Sequence, residues 1–578
     1  MRQETKSTMR RGSRTISHSA FRIPHSSKGI VYLVGAGPGD PKLITVKGLE
    51  ALTRADAVVY DHLVTERLLD HAPAAARRVY VGKEKGRHTT SQAAINRLLI
   101  RLAKSGKTVV RLKGGDPVLF GRGGEEALEL SRAGVRYELV PGVTSALAVP
   151  AYAGIPVTHR QLSSSVAIVT GHEDPAKPGQ VIRWNRLATA TDTLVCVMGV
   201  STLPAIAAQL IRHGRLRATP CAVIEWGTLP RQRTVTGTLA TIASRCRQAS
   251  LEPPAVLVVG EVVRLRRRLN WFERKPLFGK RIVVTRPTDR SEQLADVLET
   301  LGAEVIQLPA IELAPVQANG AFHRTMQSLD EFAWVFFTSP EGIQWFRRLL
   351  ASERSDLRIL RGRHIGAIGP KTAASIEQLG IHVDFVPKTF SQEGMLQGLG
   401  RRRLLGKRAL ILGAKDSREV LEQGLKRCGM DVVKVPIYQT AVPAALARRV
   451  REVFARPVDL VTVTSSSCVD HLVEALRVSG LRRRVRQILF ASIGPVTSAT
   501  VREHGARVSI EATQSTIEGL VEAIVSARPP SSRNRGQQGL RPRRVPRYGG
   551  VAEGSAGAAG DGALRPDAVG APRHPLPN

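Results

Sequence analysis

Ile30-Val-Tyr-Leu-Val-Gly-Ala-Gly-Pro-Gly-Asp-Pro41 decides the fold class of the first half of this chain. Its first five residues, rich in β-branched side chains, read as a strand; the closely spaced glycines read as a tight turn. The helical period over Lys42–Thr53 supplies the helix that follows. Strand, glycine turn and helix in that order open an α/β unit. The placement invites a dinucleotide site, but the spacing refuses it. Counting G-x-G-x-x-G from Gly35, the third glycine position holds Asp40. Pro38 also removes an N–H where a pyrophosphate needs donors. The glycines still permit close approach of backbone to a ligand.

Outward from that stretch the alternation continues. Strands are expected at Ala57–Tyr60 and Thr108–Leu112, with helices at Ala93–Ala103 and, after the turn Pro141-Gly142, at Thr144–Tyr152. This pattern signals a largely parallel sheet. A second block has strands at Ser165–Thr170, Thr193–Val197, Cys221–Glu225, Thr234–Thr236 and Ala255–Val259. A boundary near Ala153–Gln161 divides the two, giving α/β domains at 29–152 and 153–264. Residues 265–279, charged and carrying Pro276 and Gly279, read as a linker. Beyond it the pattern restarts, and it echoes itself. Lys280–Thr285 is matched by Lys407–Leu412, Val335–Ser339 by Leu460–Ser465, and His364–Pro370 by Phe490–Pro495. The echoes predict two similar α/β lobes within the second half. Residues 1–28 and the Pro/Gly/Arg-rich stretch 528–578 lack periodicity and are expected to be disordered.

The bulk numbers exclude several classes. The chain has 578 residues, 42% of them hydrophobic, enough for ordinary cores. No apolar run approaches the ~20 residues of a spanning helix. The N-terminus lacks the apolar region of a secretory signal. Cys196, Cys221, Cys246, Cys428 and Cys468 are odd in number and widely spaced, which suggests neither a disulfide framework nor a zinc site. A reducing cytoplasm fits best. No spaced cluster accompanies His88 or His172, so no metal is expected. The net charge is +36; residues 1–28 carry +6 and residues 529–578 carry +5, leaving about +25 between them. Nucleic-acid binding is one explanation of such a charge, but aromatics are only 4% and no zinc-finger spacing is present. A basic enzyme for a polyanionic small molecule is the other.

At this point the motifs resemble a known family. Gly35–Pro41, Val59–Val64, Arg111–Pro117, Phe120–Glu126, Val140–Ala146, Ala153–His159, Val169–His172 and Gly227-Thr228 with Gln232-Arg233 look like the ordered motifs of the tetrapyrrole methylases. Among these they resemble uroporphyrinogen III C-methyltransferase. The resemblance implies S-adenosyl-L-methionine (SAM) held between two α/β domains, with the tetrapyrrole in an adjoining trough. Carried over position by position, Pro38, Gly114, Gly115, Asp116, Leu119, Thr144, Ser145, Met198 and Gly227 would surround the cofactor. Ser145 stands where the family often has alanine. Asp61 matches the family's proposed base and Lys83 its proposed acid; read from the residues alone, Asp61 is equally a helix cap and Lys83 a solvated side chain. Arg111, Lys113, Arg122 and His159 are the expected contacts for the carboxylates of the substrate.

Residues 280–527 resemble uroporphyrinogen III synthase through Val284–Pro287, Phe337–Pro340, Ala367–Pro370 with Thr372, Val435–Thr440, Thr464–Ser466 and Ala491–Pro495 with Thr497. The resemblance implies two flavodoxin-like lobes, one at about 280–313 plus 441–527 and the other at about 314–440, joined by a two-stranded connector, with hydroxymethylbilane between them. Tyr438 matches the family's candidate proton donor and otherwise reads as a packing aromatic at a strand end. Thr338, Ser339, Thr372, Ser465 and Thr497, at loop or helix starts, are expected to cap helices, hold substrate carboxylates, or both. The expectation is thus a cytoplasmic, SAM-dependent bifunctional enzyme, dimeric through its methyltransferase half, with no nucleic acid, membrane or metal. It would make precorrin-2, for siroheme or cobalamin, from hydroxymethylbilane by way of uroporphyrinogen III. The alternatives are a methylase of a later precorrin and, on charge alone, a basic nucleic-acid-binding protein.

Overall fold

A computed structural model of the chain describes residues 29–82, 90–171, 182–316, 320–399 and 404–527. The ends 1–28 and 528–578, expected to be disordered, lie outside the described residues, as do Lys83, His88 and His172. Among the described residues no helix is long and apolar enough to cross a membrane.

The first sheet contains β1 (Ile30–Gly35), β2 (Ala57–Tyr60), β3 (Arg77–Tyr80), β4 (Thr108–Lys113) and β5 (Arg136–Val140). All are parallel, in the order β3-β2-β4-β1-β5. Helices α1 (Val46–Thr53), α2 (Gln92–Lys104) and α3 (Gly123–Arg132) make the crossovers. The two-residue period of β1 sends Val34 under α1 and Val31 and Leu33 under α2 and α3, so both faces are buried. Thr45 and Ser91 cap α1 and α2 by accepting the amides of Gly48 and Ala94. The neighbours β1 and β4 send their following helices, α1 and α3, to opposite faces. In an open parallel sheet such a reversal leaves a crevice beyond the strands' carboxyl ends. That is where Gly35–Pro41 and Gly114–Leu119 lie.

The second sheet contains β6 (Val166–Thr170), β7 (Thr193–Val197), β8 (Pro220–Glu225), β9 (Arg233–Thr238) and β10 (Ala255–Val259), in the order β6-β7-β10-β8-β9. Only β6 and β7 are parallel. Helix α4 (Ser145–Tyr152) follows β5 in the chain, yet it buries Ala146 and Val149 against Val195, Ala222, Ile224 and Val258 of this second sheet. By packing, the division between the domains therefore falls before α4, one helix earlier than the sequence suggests.

The remaining strands are β11 (Arg281–Val284), β12 (Glu304–Gln307), β13 (Glu312–Pro315), β14 (Trp334–Phe337), β15 (His364–Ala367), β16 (Arg408–Ala414), β17 (Asp431–Ala441), β18 (Leu460–Val463), β19 (Leu489–Ser492) and β20 (Arg507–Glu511). They form a parallel sheet β12-β11-β18-β19-β20 and a second sheet β13-β17-β16-β14-β15. In chain terms the first order is 2-1-3-4-5, the flavodoxin-like arrangement. Strand β13 runs antiparallel to the end of β17, pairing Leu313 with Thr440 and Pro315 with Tyr438, and this ladder joins the lobes. The sequence echoes now acquire positions. β11 and β16, β18 and β14, and β19 and β15 occupy matching places in the two sheets, but the chain visits them in permuted order.

The stretch 265–279, expected as a linker, is packed at both ends. Trp271 and Phe272 sit edge-on against Tyr152 at the end of α4. Leu277 is fully buried with Ile282, Val284 and Leu298 in the core of the first lobe.

Candidate active sites of the two halves

Two loops are zipped together at the crevice of the first sheet. Gly37 and Gly115 exchange both backbone hydrogen bonds, at 3.2 and 2.7 Å. Gly35 and Gly142 approach so closely that a Cβ on Gly35 would lie 2.5 Å from the Cα of Gly142, which requires glycine at this crossing. Gly114 packs against Leu63, while a Cβ on Gly115, at φ +71°, would meet only the amide nitrogen of Ser145, at 3.8 Å. Thr144 caps α4 by accepting the amide of Ala146, so the first turn of that helix opens at the same place. The carboxylate of Asp116 accepts the amides of Val118 and Leu119 on one oxygen and that of Gly142 on the other. Those bonds make it a tie between loops. Pro38 is half-buried in its loop.

The second sheet joins through Asp40. Its amide donates to Thr228 Oγ1 (3.0 Å) and its carboxylate accepts the Tyr152 hydroxyl (2.9 Å). Burial first, then the neighbouring Asp40 carboxylate, pushes the Tyr152 hydroxyl well above its ordinary pKa of 10. Gly227 closes the contact: a Cβ there would lie 2.3 Å from Val149 of α4. Phe120, Arg122, Met198, Trp226 and Thr228 all adopt positive φ in these loops. Non-glycine residues held in that region mark strain that the surroundings impose, and it gathers at ligand sites. Leu63, Leu119 and Met198 are each at least a third exposed, which puts apolar surface beside the loop amides.

The expected catalytic and substrate residues divide differently from the sequence reading. Asp61 accepts the Leu63 amide on one oxygen and lies 3.4 Å from Arg111 with the other. It therefore caps a turn and is also held by a cation, with about a quarter of its side chain exposed. Arg111 and Lys113, expected to meet substrate carboxylates, are 3% and 4% exposed and face inward. Both bind Glu126, at 3.3 and 3.0 Å, and Gln92 donates to the same oxygen. In this arrangement their charges are met inside the fold, by Glu126 and, for Arg111, also by Asp61. Burial, followed by the adjacent Arg111, pulls the Lys113 pKa down. Arg122 is exposed and paired with Glu125, and His159 is half-buried with Nδ1 accepting the Gln161 amide.

In the second half the carboxyl ends of the strands again carry the expected residues. Ser339 caps helix Pro340–Ser352 through the Gly342 amide, and Ser465 caps helix Ser466–Val478 through the Cys468 amide. The Tyr438 hydroxyl lies 2.8 Å from Ser339 Oγ, and the ring, 7% exposed, packs in the core of the second lobe. Its packing role and its place beside a polar loop are thus both present. Thr338 crosses Gly413 so tightly that a Cβ there would lie 2.3 Å from its hydroxyl. Thr372 and Thr497, at equivalent places in the two lobes, are 2% and 5% exposed, which leaves little of either hydroxyl for a substrate. A groove of about 410 Å³ between the lobes is lined by Pro287, Glu312, Leu313, Pro340, Trp345 and Arg348.

Residues 30–243 match the model of the tetrapyrrole (corrin/porphyrin) methylases, and residues 292–522 match that of uroporphyrinogen-III synthase HemD. The porphyrin biosynthesis protein HemD of Ruminiclostridium josui is 35% identical over 499 residues, covering 86% of this chain and 98% of that protein. This chain belongs to the tetrapyrrole methylases, fused to a uroporphyrinogen-III synthase. Its methylase half is 54% identical over 235 residues to the uroporphyrinogen-III C-methyltransferase of Priestia megaterium, covering 41% of this chain and 98% of that one. The S-adenosyl-L-methionine-dependent uroporphyrinogen III methyltransferase of Methanosarcina barkeri is 52% identical over 237 residues, covering 41% and 93%.

For the tetrapyrrole methylase half, the crevice suits a ligand with both a polar and an apolar part. Open backbone at Gly115 supplies the first, and the exposed Leu63 and Leu119 supply the second. Among the described residues no three His, Cys, Asp or Glu side chains are grouped to hold a metal ion. The functional residues that sequence reasoning passed over are Glu126, which anchors Arg111 and Lys113, and Glu273 in the connecting stretch. The signal for Glu126 was available. Val109, Arg111 and Lys113 share one face of β4 with the core under α3, so the cations had to point into the protein.

Proposed function

We propose that this protein converts hydroxymethylbilane to uroporphyrinogen III and methylates that product twice with SAM to give precorrin-2. The observation that carries the proposal is the co-linear match of one chain to both families, because the product of the second half is the substrate of the first. The setting proposed is the cytoplasm, with siroheme or cobalamin as the destination and a homodimer formed through the methylase half.

SAM supplies a methyl group already activated by its sulfonium. The protein's task is alignment and the exclusion of water. The zipped loops around Pro38, Gly114, Gly115 and Asp116, with Leu119, Thr144, Ser145, Met198 and Gly227, form the proposed cofactor bed. Asp61, steadied by Arg111, takes the proton that leaves the ring carbon as the methyl is added. Lys83, outside the described residues, is the proposed acid. Arg122 and His159, which retain exposed surface, meet substrate carboxylates. In the synthase half, ring closure expels hydroxide, a poor leaving group. Tyr438 donates the proton that lets it leave as water, while the helix starts after Ser339 and Ser465 receive carboxylates, with Thr338 beside them.

The test is incubation of the purified chain with fresh hydroxymethylbilane, with and without SAM, followed by isomer analysis and mass. Uroporphyrinogen III without SAM and a dimethylated product with it support both activities. Formation of only the spontaneous type I isomer removes the synthase reading. Methylation of a later precorrin, with none of uroporphyrinogen III, transfers the first half to a different step.

A further inference from the structure

The segment that connects the two halves enters the support of the methylase crevice through one largely buried hydrogen-bond relay. Glu273 Oε1 accepts Gln232 Nε2 at 2.8 Å and the Thr234 hydroxyl at 2.6 Å, and Glu273 Oε2 accepts Arg266 at 2.6 Å. Gln232 Oε1 in turn accepts the amide of Thr228 (2.9 Å), whose hydroxyl accepts the amide of Asp40 (3.0 Å). Asp40 then receives Tyr152, which is flanked by Trp271 and Phe272 of the same connecting segment. Arg266 also donates to the Ala153 carbonyl and Trp271 to that of Ala151, closing the ring of contacts around the end of α4.

A carboxylate only accepts, so Glu273, at 2.8 Å and with the Tyr152 carbonyl at 3.4 Å beside it, makes Gln232 present its NH₂ toward the connector and its oxygen toward Thr228. Turned the other way, the NH₂ of Gln232 would confront the N–H of Thr228. Thr228 holds a positive φ of 68°, so that an accepting oxygen at this point secures backbone that would otherwise relax.

We infer that Glu273 is a positioning residue of the methyltransferase, contributed by the connector, and that through Gln232 and Thr228 it holds the loop Gly35–Pro41 in its cofactor-binding shape. This rests on the proposed SAM-dependent reading of the first half. It goes beyond that reading by making the tether between the halves a component of the methylation site.

The experiment uses the full chain in three forms besides wild type: E273A, E273Q and the exchanged pair Q232E/E273Q. The pair puts an accepting carboxylate oxygen opposite Thr228 and a donating amide where Glu273 stood. Hydrogen exchange without ligand should quicken by about tenfold in peptides spanning 36–44 and 226–233 for both single variants, as expected for lost hydrogen bonds to a charged group. It should return toward wild type in the exchanged pair. The KM for SAM should rise by about tenfold in the single variants, with synthase activity of the same samples unchanged. Unaltered exchange in E273A, or no recovery in the exchanged pair, overturns the inference. Wild-type protein that binds no S-adenosylhomocysteine and methylates nothing refutes the SAM-dependent reading instead, while the exchange data still decide whether the relay holds the loop.

Discussion

Glu126 has no exposed surface, and three partners converge on its Oε1. Replacing it with glutamine leaves Lys113 a buried cation without its counter-charge and Arg111 with Asp61 alone. Breaking a buried pair from one side typically costs about 3 kcal/mol. We expect E126Q to lower the unfolding free energy read from urea denaturation by that amount and to slow methylation, since Arg111 also steadies Asp61. The buried thiols give a second test. Burial pushes Cys196 and Cys221 up to about 12 and Cys246 up to about 11, from 9.0. The folded state therefore keeps protons that the unfolded state has released, and stability present below pH 9 is lost as pH rises through 11 to 12. Replacing Cys221 with alanine should flatten that alkaline fall in a denaturation series. The residue scale is also where the sequence was least legible. Motif matching supplied Asp61, Arg111 and Lys113 as a set, but only the strand period says which way each points.

At the scale of elements, α4 is the hinge of the methylase half in a packing sense. It leaves the first sheet by chain and joins the second by contact. Its sequence, Ser-Ala-Leu-Ala-Val-Pro-Ala-Tyr, is apolar nearly all round, and such a helix does not encode which of two apolar sheets will receive it. The sequence for that reason places the boundary after α4, whereas the packing of α4 lies with the second sheet. The repeats were legible for the opposite reason: strand, Thr/Ser turn and helix recur as local units, whatever order the chain visits them in. The contact of Gly227 with Val149 gives this scale its prediction. G227A should destabilise by about 2 kcal/mol, the usual cost of overpacking, and raise the KM for SAM. V149A added to it should restore much of the stability, which thermal denaturation of the two variants would read.

For the whole molecule, the two halves are joined by unequal means. Lys42–Asp296, at 3.1 Å, and Arg67–Glu299 cross from the methylase to helix Thr288–Thr300 of the synthase. The first pair is more than half exposed on both sides, so D296A should change stability by less than about 1 kcal/mol. Leu277, fully buried in the first lobe, should cost about 3 kcal/mol when cut to alanine. Denaturation of the two variants side by side would rank the joints. The charge pattern that marked 265–279 as a linker was real, but charge does not reveal that its apolar residues are spoken for at both ends.

The permuted lobes carry a consequence for the order in which the chain can assemble on the ribosome. β11 pairs with β18, and Arg281 with Asp459 across a gap of 178 residues. The intervening lobe has all of its parallel strands in one continuous stretch, from β14 to β17. That lobe can close as soon as it emerges, whereas the half-lobe before it waits with an open sheet edge until the chain is nearly complete. Translation thus leaves the edge of β11 that faces β18 open long after its other edge has paired with β12, and that open edge is where premature release would seed aggregation.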